Sequence, residues 1–223
     1  MYDASLAIRR ELGDRWGVAN SLCNLGGLAQ SQGDLALAST LLEECLVINR
    51  ELGDKRGIAF LLNNLGNVTL DRGENSKAHA LEMESLRLYQ ESGDKWGVAY
   101  SLDSLGDVER SQRNYAGAYA YYQESLTMLQ DLGDKFGIVC SIEAFARVAQ
   151  GRQQPDRATT LLGAAETLRK MIGAHRQPAE NAEYDRAVAT IQGQMDQVAF
   201  TQAWAKGLAM TSDQAVTYAL QSE

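Results

Sequence analysis

The histidine and cysteine side chains of this 223-residue chain could support acid–base catalysis or metal binding if their spacing allowed it. The two histidines, His79 and His175, have no partner at catalytic or metal-binding spacing. The cysteines Cys23, Cys45 and Cys140 form no metal or redox motif, which predicts small buried thiols in a reducing cytosol. We therefore expect no catalytic residue, no metal site and no cofactor.

Glycine-rich segments and paired glutamates suggest two further kinds of chemistry. The segment 53–57, Gly-Asp-Lys-Arg-Gly, lacks the phosphate-binding loop pattern and follows no strand. Glu43–Glu44 and the pair Glu82 and Glu84 could act together as in a glycosidase. Their positions on amphipathic helices predict instead that they face solvent. The sequence therefore predicts a protein that is not an enzyme.

The charge of the chain restricts its partners. There are 21 basic and 29 acidic residues, giving a net charge of −8. A nucleic-acid-binding protein needs a basic stripe, and an anionic membrane surface attracts basic segments, so neither partner is expected. No apolar run approaches the ~20 residues that span a bilayer, and the first ten residues lack the apolar core of a signal peptide. We expect a cytoplasmic protein.

A repeat of 40 residues organises the chain. The dipeptide Gly-Asp recurs at 13–14, 53–54, 93–94 and 133–134, and a second glycine follows three residues after each aspartate. Glycine suits the left-handed position that ends a helix, and aspartate suits the N-cap of the next helix. A fixed period of this length is typical of stacked helical repeats.

The apolar periodicity within each repeat predicts two antiparallel helices, which we name helix A and helix B. In residues 91–130, apolar side chains recur at steps of three and four in two runs, separated by a polar break near 112–114. Gly26, Gly66 and Gly106 lie in the middle of helix A, where glycine costs about 1 kcal/mol relative to alanine. Close approach of helix B, with alanines at 38, 78, 118 and 158, would offset that cost.

The repeat resembles a known family. Leu105-Gly106, followed by Ala118 and the aromatic Tyr122, is similar to the tetratricopeptide repeat. The 40-residue length resembles the longer variant in kinesin light chains, Pins-type adaptors and bacterial signalling ATPases. The resemblance implies an all-α, right-handed α-solenoid of antiparallel helix pairs with a C-terminal helical cap.

Three segments follow from this register. Residues 1–10 match the end of a helix B, residues 11–173 form four repeats, and residues 174–223 leave the repeat pattern as a cap. In the cap we predict helices over about 179–196, from Val198 to Gly207, and from an N-cap at Thr211–Asp213 to Leu220. Because residues 1–10 lack their helix A, we expect the chain to be a fragment of a longer protein or the product of a gene that is split there.

The C-terminal sequence carries a second resemblance. The series from Leu161 to Glu166, with Glu183-Tyr184, 203–207 and 215–220, is similar to the carboxyl end of large bacterial regulators. Those proteins join a signalling ATPase, and often a LuxR-type or winged-helix effector, to tetratricopeptide repeats. The resemblance implies that catalytic and DNA-binding parts lie upstream of Met1.

In tetratricopeptide proteins helix A lines a concave groove. Carrying this over by position places Cys23, Asn63, Asp103 and Glu143 in one row of the groove. Asparagine amides can bind the backbone of an extended peptide, and arginines can bind a carboxylate. The candidate groove residues are Asn63, Asn64, Asn67, Tyr100, Asp103, Asp107, Arg110 and Arg147.

Aromatic residues mark the start of helix A in three repeats, at Trp16, Trp96 and Phe136. They could anchor a partner, because aromatic side chains dominate binding hot spots. We expect them instead to seal the contact between successive repeats.

These observations favour a non-enzymatic protein- or peptide-binding scaffold or sensor module of a larger regulatory protein. A sensor for a small molecule or signal peptide within a regulatory ATPase, and a self-association module, remain the alternatives. Leu6 and Ile8 should lack part of their cover, so we expect a homodimer formed through the N-terminal end.

Overall fold

The computed structural model describes residues 2–176 and 178–221, and the described chain is helical throughout, without strands. Its helices, in order, are α1 (Tyr2–Glu11), α2 (Arg15–Ser31), α3 (Leu35–Leu52), α4 (Lys55–Asp71), α5 (Asn75–Ser92), α6 (Lys95–Ser111), α7 (Tyr115–Leu132), α8 (Lys135–Gly151), α9 (Pro155–Met171), α10 (Pro178–Gln192), α11 (Gln197–Leu208) and α12 (Ser212–Ala219). The all-α fold of consecutive antiparallel helices is confirmed. None of these helices is long and apolar enough to cross a membrane.

The chain divides into two compact units, Met1–Val108 and Glu109–Glu223. In the N-terminal unit, α1 packs on α2, α2 on α3, α3 on α4 and α4 on α5. In the C-terminal unit, α7 packs on α8 and α8 on α9, while α10, α11 and α12 all contact α9. The three last helices thus lie against the final helix of the predicted repeats.

The junctions between helices form as their residue types predict. Gly53, Gly93 and Gly133 end their helices in the left-handed conformation, with φ near 70°. The following aspartates cap the next helix, as when Asp54 accepts a hydrogen bond from the Gly57 backbone N–H at 3.0 Å. A Cβ on Gly57 would lie 2.4 Å from Asn49 Oδ1 and 2.7 Å from the Asp54 carboxylate, so the second glycine leaves room for the cap.

The glycines in the middle of helix A lie where helix B approaches, as predicted. A Cβ on Gly26 would meet the Leu42 side chain at 2.8 Å, and a Cβ on Gly66 would meet Glu82 Oε1 at 2.2 Å. Ala38 and Ala78 on the facing helices are fully buried. The small residues therefore allow close packing within each helix pair of the N-terminal unit.

The cap helices differ slightly from the sequence prediction. Helix α10 ends at Gln192 rather than near residue 196, because Asp196 instead caps α11 through the backbone N–H groups of Val198 and Ala199. Helix α12 starts at the expected Thr211 cap, which forms a reciprocal capping box with Gln214. Of the resemblance residues, the side chain of Glu183 lies outside the described part of the structure.

Helices α9 and α11 meet backbone to backbone. A Cβ on Gly207 would lie 2.1 Å from the Thr160 carbonyl oxygen, and a Cβ on Gly163 would lie 2.6 Å from the Trp204 carbonyl oxygen. Arg157 on α9 is buried and donates hydrogen bonds to the carbonyl oxygens of Tyr218, Ala219 and Gln221 at the end of α12. These contacts fasten α11 and α12 to α9.

The start of the chain is only partly uncovered. Helix α1 forms as predicted, but Leu6 is 8% exposed and therefore buried, so the expectation that it lacks cover was wrong. Ile8 and Leu12 are 57% and 76% exposed. Among the residues whose exposure is described, Ile8 on α1 and Leu12 just after it present the large apolar side chains at this end.

Candidate functional site

One face of α4 combines an aromatic side chain with two carboxamides. Phe60, Asn64 and Asn67 follow one another at steps of four and three residues, so they lie on the same face of the helix. Phe60 is 49% exposed, and both asparagines are half-buried. The Asn64 and Asn67 side chains donate or accept no hydrogen bond within the described part of the chain. Their donors and acceptors are therefore available to a ligand.

Asn63 has a different role from the one predicted. Its Nδ2 donates to Glu82 Oε2 at 2.7 Å and to Ser104 Oγ at 2.9 Å. Both hydrogens of the amide are thus used inside the N-terminal unit. Asn63 therefore serves the packing of α4 rather than offering its amide N–H groups to a peptide.

Glu82 is the main departure from the sequence prediction. We expected Glu82 to face solvent, but it is 0% exposed. Its carboxyl group points from α5 toward Gly66 of α4. Among the residues that the structure describes, Oε1 has no hydrogen-bond partner and Oε2 has Asn63 as its partner. Burial raises the pKa of Glu82 well above its usual 4.5, and the charge of Asp107 raises it further, against the hydrogen bond from Asn63, which lowers it.

Glu82 occupies the position that its repeat equivalents fill with apolar or aromatic side chains. The residues 40 positions away are Leu42 and Tyr122, and both are buried. The exception was visible in the sequence as a glutamate in an otherwise apolar column. The sequence does not show whether a glutamate at this position is still buried. Its close contact with Gly66 shows that it is.

The remaining candidates of the N-terminal unit are Tyr100, Asp103 and Asp107 on α6. Tyr100 is 38% exposed, and the two aspartates are half-buried. All three interact with other residues of the protein. Tyr100 occupies the same repeat position as Phe60 and Asn20, so exposed side chains recur at this position every 40 residues. The row of groove residues predicted from the sequence does not include this position.

Arg110 and Arg147 belong to the C-terminal unit. Both are half-buried and both interact with other residues. Their predicted role as carboxylate ligands stays a prediction. Glu143, which the sequence placed in a groove row, instead forms ion pairs with Arg169 and Arg176 at 2.9 and 2.6 Å.

This ion-pair cluster extends to the start of the C-terminal segment. Arg176 also contacts Glu166 at 2.9 Å and lies 3.6 Å from the centre of the Tyr184 ring. Burial tends to raise the pKa of Glu166, but the hydrogen bonds from Arg176 and Lys170 outweigh it, so that the pKa is lowered. The cluster therefore ties the residues after α9 to α8 and α9.

A cavity of about 270 Å³ opens in the N-terminal unit among α2, α3 and α4. Trp16, Asn20 and Phe60 line it together with Cys23 and Cys45. It lies beside the Phe60, Asn64 and Asn67 face because Phe60 belongs to both. Sequence reasoning missed Asn20 and Phe60 as lining residues, although their shared repeat position was a signal that could have revealed them.

The aromatic residues at the start of helix A do not seal contacts between repeats. Trp16, Trp96 and Phe136 are 67%, 50% and 47% exposed, so that expectation was wrong. Each is the second residue of its helix, where the side chain extends beyond the body of the helix pair. Trp16 contributes instead to the wall of the cavity.

Comparisons with known proteins agree on the fold. Two family models, each described as a tetratricopeptide repeat, match residues 17–91 and residues 98–132 respectively. BtubC (BKLC) from P. vanneervenii is similar in structure, with a TM-score of 0.68 and 19% identity, covering 97% of this chain and 87% of that chain. A putative kinesin light chain from Podosopora anserina with nearly identical TPR-like repeats has a TM-score of 0.59 and 15% identity, covering 85% and 93%.

A single-substitution variant of that Podosopora anserina protein is similar to the same degree, with a TM-score of 0.58 and 15% identity. No curated protein sequence matches this chain significantly. At these identities the structural likeness establishes the fold alone.

Proposed function

Because residues 17–91 and 98–132 carry tetratricopeptide repeats, we propose that this chain is a non-enzymatic module that binds an extended peptide segment of a partner protein. The tetratricopeptide fold is typically a non-catalytic scaffold. The peptide would lie along the face formed by Phe60, Asn64 and Asn67, next to the cavity that Trp16 lines. The observation that carries this proposal is the pair of half-buried carboxamides, which have no hydrogen-bond partner among the described residues, beside an exposed aromatic side chain.

The chemistry of this face suits a peptide backbone. A carboxamide offers a donor and an acceptor, so Asn64 and Asn67 can each pair with the backbone N–H and C=O of one residue in an extended peptide. Phe60 and Trp16 add apolar contact area at a low cost in side-chain entropy. The cavity of about 270 Å³ between them can receive one side chain of the peptide.

The kind of protein that would contain this module is suggested by the sequence resemblances alone. We infer that the module serves a larger cytoplasmic regulatory protein, where binding would be passed to an effector. Self-association through the N-terminal end is a second candidate, favoured by the exposure of Ile8 on α1 and of Leu12 directly after it.

Peptide selection followed by binding measurements tests the site. A peptide would be selected from a random display library against the full chain, and its Kd measured by fluorescence anisotropy. Asn64→Ala combined with Asn67→Ala should weaken binding at least about tenfold, because up to four hydrogen bonds of about 0.5–1.5 kcal/mol each are lost. Phe60→Ala should weaken it by a similar factor.

Met83→Ala provides the matched control. Met83 is an exposed apolar residue on α5, away from the α4 face, so its removal should leave Kd unchanged. Unchanged affinity in the double asparagine variant with helical circular dichroism intact would refute the proposed site. Loss of affinity in Met83→Ala would move the site to the helix B face.

A further inference from the structure

Two of the three cysteines meet in the N-terminal unit although 21 residues separate them in the chain. Cys45 on α3 is buried, and its Sγ donates to the carbonyl oxygen of Ala19 on α2 at 3.0 Å. Ala19 is one helical turn before Cys23, so the Cys23 side chain lies on the face of α2 that Cys45 contacts. Both sulfurs line the cavity of about 270 Å³, and Cys23 is partly exposed there.

The second helix pair shows what this arrangement looks like without thiols. Ser85 occupies the position of Cys45, and its Oγ donates to the Ala59 carbonyl oxygen at 2.8 Å. Asn63 occupies the position of Cys23. A hydroxyl therefore satisfies the same backbone carbonyl, so the hydrogen bond to helix A does not itself require sulfur at position 45.

We propose that Cys23 and Cys45 form a redox pair, which a hydroperoxide entering the cavity oxidises to a disulfide. Cys23 is the attacking residue because it is the exposed member of the pair. The neighbouring Cys45 side chain lowers the pKa of the Cys23 thiol in spite of its burial, which increases its thiolate fraction. Cys45 is the resolving residue. The Cys23 side chain and burial raise the pKa of the Cys45 thiol, so it stays protonated while Cys23 is the thiolate.

The reaction balances with hydrogen peroxide as the oxidant. The Cys23 thiolate attacks one peroxide oxygen and the O–O bond breaks, which leaves a sulfenic acid and a hydroxide that takes up the proton released by the thiol. The Cys45 sulfur then attacks the Cys23 sulfur, and the S–O bond breaks. The departing hydroxide combines with the Cys45 proton, so two thiols and one peroxide give one disulfide and two waters.

Peptide mapping of the full chain, reduced and then treated with hydrogen peroxide, tests the proposal. Trypsin leaves Cys23 and Cys45 in one peptide, 16–50, and Cys140 in another, 136–147. The first peptide should lose the mass of two hydrogens and resist alkylation, while Cys140 remains alkylatable. Because the bond joins α2 to α3, the melting temperature should rise by roughly 5–10 °C.

Cys45→Ser is the matched variant, since Ser85 shows that a hydroxyl keeps the hydrogen bond to helix A. In this variant Cys23 should stop at the sulfenic acid, which dimedone traps, and peroxide should leave the melting temperature unchanged. The proposal is overturned if the wild-type Cys23 accumulates sulfenic or sulfinic acid with Cys45 still free. It is also overturned if Cys23 reacts no faster than Cys140, or if the disulfide forms only in urea.

Discussion

Replacing Glu82 with leucine should stabilise this protein at neutral pH. Glu82 Oε1 is buried without a partner, and leaving such an atom unsatisfied costs about 1–3 kcal/mol, more when it is charged. Leucine fits the site, because Leu42 packs against Gly26 at the equivalent place in the preceding repeat. The change removes the acceptor of one Asn63 amide hydrogen. Because Asn63 is only half-buried, water can accept that hydrogen bond instead. We expect a net gain of about 1–3 kcal/mol in the free energy of unfolding.

The gain should depend on pH in a defined direction. The pKa of Glu82 is raised in the folded protein, so between its ordinary value of 4.5 and the folded value the folded state holds more protons than the unfolded state. The free energy of unfolding therefore falls as pH rises through this window, by at most about 1.4 kcal/mol per pH unit. Glu82→Leu and Glu82→Gln lack this loss, so their advantage over the wild type should grow from pH 4.5 upward.

Urea denaturation followed by circular dichroism measures the effect, at several pH values from about 4.5 to about 8. With a slope of about 2 kcal/mol per molar urea, a gain of about 2 kcal/mol moves the midpoint by about 1 M. Glu84→Leu, on the same helix but partly exposed, should change stability by less than about 0.5 kcal/mol. The reasoning would be refuted if the Glu82→Leu variant were less stable than the wild type. It would also be refuted if the free energy of unfolding of this variant fell with rising pH as steeply as that of the wild type.

Three other predictions concern the packing of α11 on α9, the backbone conformation at a helix junction and self-association. Gly207→Ala should loosen α11 from α9, because the new Cβ would lie 2.1 Å from a backbone carbonyl oxygen, and we expect a loss of about 1–3 kcal/mol or more in thermal unfolding. Arg113→Gly should stabilise by up to about 1 kcal/mol, because Arg113 has φ 62° where earlier helix junctions carry glycine. Ile8→Glu with Leu12→Glu should turn a dimer into a monomer in light scattering.

Each of these predictions has its own control. Gly193→Ala places a Cβ no closer than 3.6 Å to its neighbours, so it should be tolerated; equal effects at 193 and 207 would contradict the packing argument. Gln32→Gly changes a residue with φ −87°, so it should not stabilise as Arg113→Gly does. A wild-type monomer at high concentration would remove the dimer proposal.

Much of the fold could be predicted because its causes are local. The left-handed glycine and the capping aspartate at 53–54 act within a few residues of each other, and the steps of three and four in 91–130 define two helices. The same reasoning located the junction at 112–114, where Arg113 adopts the left-handed conformation without being glycine. The sequence by itself therefore determined the helices, their order and the small residues that let them pack.

The candidate site depended on contacts between helices, which spacing does not encode. Glu82 and Asn63 lie 19 residues apart, and only the packing of α4 on α5 brings Asn63 Nδ2 to 2.7 Å from Glu82 Oε2. The same packing buries the glutamate that the sequence predicted to face solvent. The same holds for Cys23 and Cys45, which form no motif in the chain yet share one cavity. A side chain's exposure depends on how far its helix is turned toward the neighbours. Periodicity placed these residues on their helices, and only tertiary packing decided which side chains became partners.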